Sequence, residues 1–286
     1  MTNRMTGQTY TAPAILLIAF ALVAPSLFGL YLSLFNLRYM APEEFVGFEN
    51  YRYLGGEPEF LAMILRSLVF TVCAVGSTLV CGLAVALWIN RLKGWFSLLV
   101  QIIVILPWIL STVVGALLFR WVFVNDLGLA AYIFEYLGFS FRPLGDAKTA
   151  MVLLIVFALW RTLGFTVVVL LAGIKSIPAE LYEAAHVDGA SAWQRLKNIT
   201  LPMLKTPMLI ATVILTVSNL NNVETPLIVT GGGPAGATTI APLYLYTTAF
   251  TRFDFNTALA MGIGMLGANI CLAFIYVKLV NKNGRS

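Results

Sequence analysis

The sequence predicts an all-α membrane protein with six transmembrane helices, cytoplasmic termini and a short polar helix between the fourth and fifth spans. Three observations carry this. The chain of 286 residues is 59% hydrophobic and only 11% charged, with a mean hydropathy of +0.87; a soluble domain is usually about 45–50% apolar and about 25% charged. Its apolar residues gather into six stretches of about 20 residues or more, the length a helix needs to cross the hydrocarbon. Between the fourth and fifth stretches lies a polar island, residues 177–207, reading IPAELYEAAHVDGASAWQRLKNITLPMLKTP.

The first span is residues 14–35. Its apolar run passes through a possible Ala19-Phe20-Ala21 cleavage pattern and exceeds the core of a signal peptide, so it is read as a retained helix. The others are 68–89, 98–124 with Pro107 inside, 149–174, 208–230 with Pro226 near its end, and 257–280. Residues 1–286 form one membrane domain. Pro107 is expected to kink the third helix, because proline loses a backbone bond and clashes with the preceding turn. Small residues recur every four positions along the second span (Ala74, Thr78, Gly82, Ala86) and the sixth (Ala260, Gly264, Ala268); that spacing predicts close helix packing. Cys73, Cys81 and Cys271 all fall in apolar spans, where cysteine acts as a small hydrophobe. No Cys-x-x-Cys or Cys/His cluster points to a metal.

Orientation follows the distribution of Lys and Arg beside the spans. With the N-terminus inside, Arg4, Arg91, Lys93, Lys175, Arg195, Lys197, Lys205, Lys278, Lys282 and Arg285 are inner, ten against the outer six of Arg38, Arg52, Arg66, Arg142, Lys148 and Arg252. The net charge of +5 is thus spent on span ends, not on a nucleic-acid patch. The outer loop 36–67 is read either as a small ordered cap or partner surface, or as a solvated connector.

The island has the chemistry of a helix–turn–helix. Pro178 suits a first helical position, and Glu180 and Glu183 favour the positive end of the helix. Ala184 and Ala185 permit close approach. Asp188-Gly189 breaks the helix, glycine being the least costly residue for the turn. A second helix fits from Ser191 to Asn198, with Leu201-Pro202 and Pro207 ending it. An ordinary cytoplasmic connector is the alternative from these residues alone.

At these residues the chain resembles a known family. Glu183-Ala184-Ala185, Gly189 and Ile199-x-Leu201-Pro202 are similar to the EAA loop of permease subunits in bacterial binding-protein-dependent ABC importers. Gly47-Phe48-Glu49-Asn50-Tyr51 resembles the outer-loop motif of the carbohydrate-type permeases, and Leu227 to Pro234 (LIVTGGGP) the glycine-rich end of their fifth helix. Leu196 departs from the pattern, standing where an aromatic residue is frequent. The resemblance covers nearly the whole chain. It implies a multi-pass protein of the bacterial inner membrane, in contact with lipid and partnered by a second, different permease. Two cytoplasmic ATPases carrying ATP and Mg, and an external solute-binding protein, complete the implied assembly. Glu183, Ala184, Ala185, Asp188 and Gly189 would then form a coupling helix on an ATPase. The implied cargo is a sugar or polyol. Import of another solute, and an ion-gradient carrier, are the alternatives; carriers often repeat internally, and no clear repeat joins the two halves here.

Ionisable groups inside spans are costly and mark function by default. Arg161 lies mid-span beside Trp160; Glu224 and Arg120 lie near outer ends at similar depth, close enough to pair. Trp160, Arg161, Asn219, Asn222 and Glu224 are the expected substrate path, with Asn221 nearby; interhelical hydrogen bonding is the competing role for the amides. Gly231 to Thr238 almost matches the phosphate-binding GxxxxGK[ST] pattern, but Ala237 replaces the essential lysine. It is read as a flexible outer turn. The lone His186 has no catalytic partner, the Asn198-Ile199-Thr200 sequon is cytoplasmic, and no nucleophile or cofactor site argues for an enzyme.

Overall fold

The computed structural model describes residues 11–38, 40–124, 127–139 and 142–283; Arg4, Arg285 and the side chain of Lys282 lie outside them. The elements are α1 (Thr11–Leu32), β1 (Phe35–Arg38), β2 (Ala41–Phe45), α2 (Glu49–Gly56), α3 (Pro58–Arg91), α4 (Gly94–Ile109), α5 (Thr112–Phe123), α6 (Leu129–Tyr136), α7 (Ala147–Lys175), α8 (Ala179–Val187), α9 (Ala192–Met203), α10 (Lys205–Asn221), α11 (Glu224–Val229), α12 (Ala241–Phe250) and α13 (Phe255–Asn283).

Four helices, α1, α3, α7 and α13, are long and apolar enough to cross a membrane unbroken. The expected third and fifth spans are corrected. The third divides into α4 and α5, which meet at 99°. Helix α4 runs through Pro107 and ends two residues later at Ile109, after which Leu110 and Ser111 turn to extended backbone (ψ 146° and 133°). The fifth stops at Asn221 and resumes as α11, with Pro226 in the first turn, where its missing N–H would have no helical partner. Helix α10 in turn leaves α9 at 65°. Leu201-Pro202 does not end the island's second helix. The helix passes through both residues to Met203, because a π-helical turn at Leu196–Thr200 precedes Pro202. The same arrangement precedes Pro25, with a π-helical turn at Ala19–Val23. In each case the widened turn contains the carbonyl four residues back, the one a proline ring would strike.

The chain forms two compact units, Met1–Leu61 with Leu245–Leu272, and Ala62–Tyr244 with Ala273–Ser286. In the first, the segment between α1 and α3 holds a small ordered cap. β1 and β2 pair antiparallel with a bulge at Asn36/Leu37, so the fold is not purely helical. Phe35 and Phe45 meet edge-on at 5.3 Å. Asn50 donates to the carbonyls of Ser33 and Phe35 at 2.8 and 3.0 Å, and Tyr51 meets the Ser33 hydroxyl at 2.6 Å. Those three bonds give the Gly-Phe-Glu-Asn-Tyr stretch its structural reason. Asn256 closes the cap, accepting from Leu37 N–H and donating to Asn36 Oδ1, both at 2.8 Å.

The second unit is built around α7. Asp146 caps it, accepting the Lys148 and Thr149 amides; the Thr149 amide above all holds this carboxyl below its usual range. Two apolar clusters lie along α7. One gathers Phe70, Leu154, Phe157, Val229 and Ile240; the other gathers Ile89, Val167, Leu170, Ile174 and Leu204. The small-residue face of α3 packs as expected: Ala74, Thr78, Gly82 and Ala86 are all buried. Gly82 abuts Thr166, and the Thr78 and Thr162 hydroxyls meet at 3.4 Å. The corresponding face of α13 does not, for Gly264 and Ala268 are exposed and only Ala260 is buried. Helix α12, largely buried, had no apolar run long enough to announce it.

Candidate functional site

Two sites emerge, one at the polar island and one in mid-span. The island is two short helices fixed to the end of α7. Helix α8 follows Pro178, whose extended ψ of 132° makes it the cap residue instead of the first helical one. The helix closes in a Schellman turn. Ala190 N–H donates to the Ala185 carbonyl at 2.9 Å, and Gly189 N–H to His186 at 3.1 Å. Gly189 sits in the left-handed region at φ +72°, with open space where a Cβ would stand. Glycine is therefore required by the backbone, not by crowding. Helix α9 starts from a capping box the sequence reading passed over: Ser191 Oγ accepts the Gln194 amide, and Gln194 Oε1 accepts that of Ser191. The Ser-x-x-Gln spacing was its available signal.

Tyr182 on α8 and Thr200 on α9 share a hydrogen bond of 2.9 Å. Leu204, fully buried, and Pro207 press on Gly173 of α7; a Cβ there would lie 2.7 and 2.8 Å from them. The island is thus packed directly against the central helix. Its outer surface is free: Glu183, Ala184, His186, Asp188 and Gly189 are exposed, and Ala185 is half-buried. Val187 is 87% and Trp193 68% exposed.

The mid-span site forms where both broken helices restart. Arg161, half-buried at the midpoint of α7, donates through Nη2 to the hydroxyl of Thr112, the first residue of α5, and its buried Nε has no partner. Glu224, the exposed first residue of α11, makes no ion pair with Arg161. The expected Arg120–Glu224 pair does not form. Arg120 instead donates to the Ile228 carbonyl at 3.0 Å, satisfying an end-of-helix acceptor of α11. Trp160 stacks with Phe119 at 6.2 Å. Asn222 Oδ1 accepts the Thr225 amide at 2.8 Å, while Asn219, buried, and Asn221, exposed, donate back to Leu215 and Val217. The glycine-rich stretch is a tied turn, correcting its reading as flexible. Thr238 Oγ1 lies 2.8 Å from both the Thr230 hydroxyl and the Gly233 carbonyl.

Residues 78–284 match the family described as binding-protein-dependent transport system inner membrane component. The chain is 31% identical to the sulfoquinovosyl glycerol transport system permease protein of Agrobacterium fabrum, covering 97% of this chain and 91% of that one. It is also 31% identical to the trehalose/maltose transport system permease protein of Thermococcus litoralis, over 96% and 92%. In fold it is similar to a chain of a bacterial alginate ABC transporter, solved with an alginate pentasaccharide-bound periplasmic protein. That match has a TM-score of 0.82 at 23% identity, covering 96% of this chain and 93% of that one. The chain therefore belongs to the binding-protein-dependent transport inner membrane components, as a permease subunit of the inner membrane.

Proposed function

We propose that this permease imports a sugar or sugar derivative, six-spanning with both termini in the cytoplasm. Its partners are a second permease, two cytoplasmic ATPases that bind ATP and Mg, and an external solute-binding protein. The observation that carries the reading is the island's construction: an exposed helix ending at left-handed Gly189, braced by Tyr182–Thr200 and pressed onto Gly173. Glu183, Ala184, Ala185, Asp188 and Gly189 present the surface to an ATPase, and closure of the ATPases moves α7 through the corner at Leu204. Trp160, Arg161, Asn222 and Glu224 stand where two half-helices restart, an arrangement suited to hydroxyl-rich cargo, with Asn219 behind them. The sugar class rests on the transport systems named for the relatives.

The test is uptake by the reconstituted assembly. Gly189→Val removes the only residue type that tolerates this backbone at low cost. It is expected to abolish uptake and uptake-coupled ATP hydrolysis while the external binding protein still binds ligand. Wild-type-like uptake in this variant, or wild-type uptake driven by a proton or sodium gradient without ATP, overturns the proposal.

A further inference from the structure

A cavity of about 400 Å³ lies where the end of α3 meets the island. That is the size of a small-molecule site. Arg91 and Arg195 line it, with Asn90, Tyr182, Trp193 and the apolar wall of Leu87. No acidic residue lines it. Neither guanidinium has an ion pair or side-chain hydrogen bond among the described residues. Two unanswered cations over a shared cavity repel each other, so the arrangement suits an anion; guanidinium groups match phosphate oxygens in pairs. The first turn of α9 borders the same cavity at Ala192 and Trp193, adding the positive end of a helix.

The surroundings favour a lipid over a dissolved anion. Leu87, Ile174, Ala192 and Leu196 give the cavity an apolar wall beside the cations. Trp88, Trp95 and Phe96 are exposed at the same end of α3 and the start of α4, as aromatic side chains are at a membrane interface. The anionic inner leaflet attracts arginine here.

We infer that this cavity binds the phosphodiester headgroup of an anionic lipid, Arg91 and Arg195 holding the phosphate and Leu87 and Trp193 flanking the glycerol. The lipid bridges α3 and both island helices, so it stiffens the link that carries force. The inference rests on the proposed orientation, which puts the cavity at the inner leaflet.

The experiment uses the full assembly in nanodiscs of phosphatidylcholine with or without phosphatidylglycerol, and native mass spectrometry to count retained lipid. Wild type is expected to retain phosphatidylglycerol selectively, and Arg91→Gln with Arg195→Gln to bind it about thirtyfold more weakly, from about 1 kcal/mol per arginine. Arg91→Lys with Arg195→Lys keeps part of the selectivity, which separates charge loss from misfolding, and Lys197→Gln, outside the cavity, leaves it unchanged. Equal retention in wild type and the double glutamine variant overturns the inference. So does displacement by inorganic phosphate, which means a dissolved anion, or exclusion of the lipid whenever the ATPases are docked, which means an acidic partner side chain. None of these readouts requires uptake, so failure here is distinct from failure of the importer reading.

Discussion

Gly164 has no room for a methyl group. A Cβ there would lie 2.5 Å from the Val104 carbonyl and 2.6 Å from Ile105 Cα, so α7 and α4 touch backbone to backbone. Gly82 is equally tight, but its Cβ would meet the side chain of Thr166, at 2.6 Å. A side chain can yield where a backbone cannot. Gly164→Ala is therefore expected to cost about 3 kcal/mol or more through overpacking. Gly82→Ala is expected to cost roughly 1 kcal/mol, because the better helix propensity of alanine offsets part of the crowding. Thermal unfolding of the two variants in one detergent gives the order, and a Gly82 variant less stable than the Gly164 variant refutes it. Position-specific crowding of this kind leaves no trace in a hydropathy profile; only the small-residue spacing on α3 announced it.

At the scale of elements, the two island helices act as one piece because Tyr182 and Thr200 are bonded. Tyr182→Phe removes that bond but leaves Thr200 Oγ1 its alternative acceptor, the Arg195 carbonyl at 3.4 Å, so folding survives. The loss is about 1 kcal/mol. The expected result is roughly fivefold less uptake per ATP hydrolysed, with the ATPases still bound. Adding Thr200→Val should cost little more, since the same bond is already absent. Fully additive losses would show that the two side chains act separately. Neither residue was marked by the sequence motif, which spans both helices without saying which positions join them.

For the molecule as a whole, the topology is open to direct measurement. Phe48, on the cap, is 76% exposed, and Lys93, between α3 and α4, is exposed on the proposed inner side. With Cys73, Cys81 and Cys271 replaced by alanine, an impermeant maleimide should label Phe48→Cys in right-side-out vesicles. It should reach Lys93→Cys only after permeabilisation. The opposite pattern inverts the orientation, and with it the placement of both the coupling surface and the lipid cavity.

The sequence by itself determined the membrane class, the four long helices and the island with its left-handed glycine. Each is a local or one-dimensional property. An apolar run of sufficient length must leave water wherever it packs, and Gly189 is needed by a turn closed within six residues. Tertiary structure alone decided where α4 gives way to α5 and α10 to α11, that α12 exists, and that Arg120 takes the Ile228 carbonyl instead of Glu224. At the α4–α5 break both sides are equally apolar, so composition does not record it. The restart of α5 is held by Arg161 from a helix far along the chain, and such a partner is chosen only once the helices have packed.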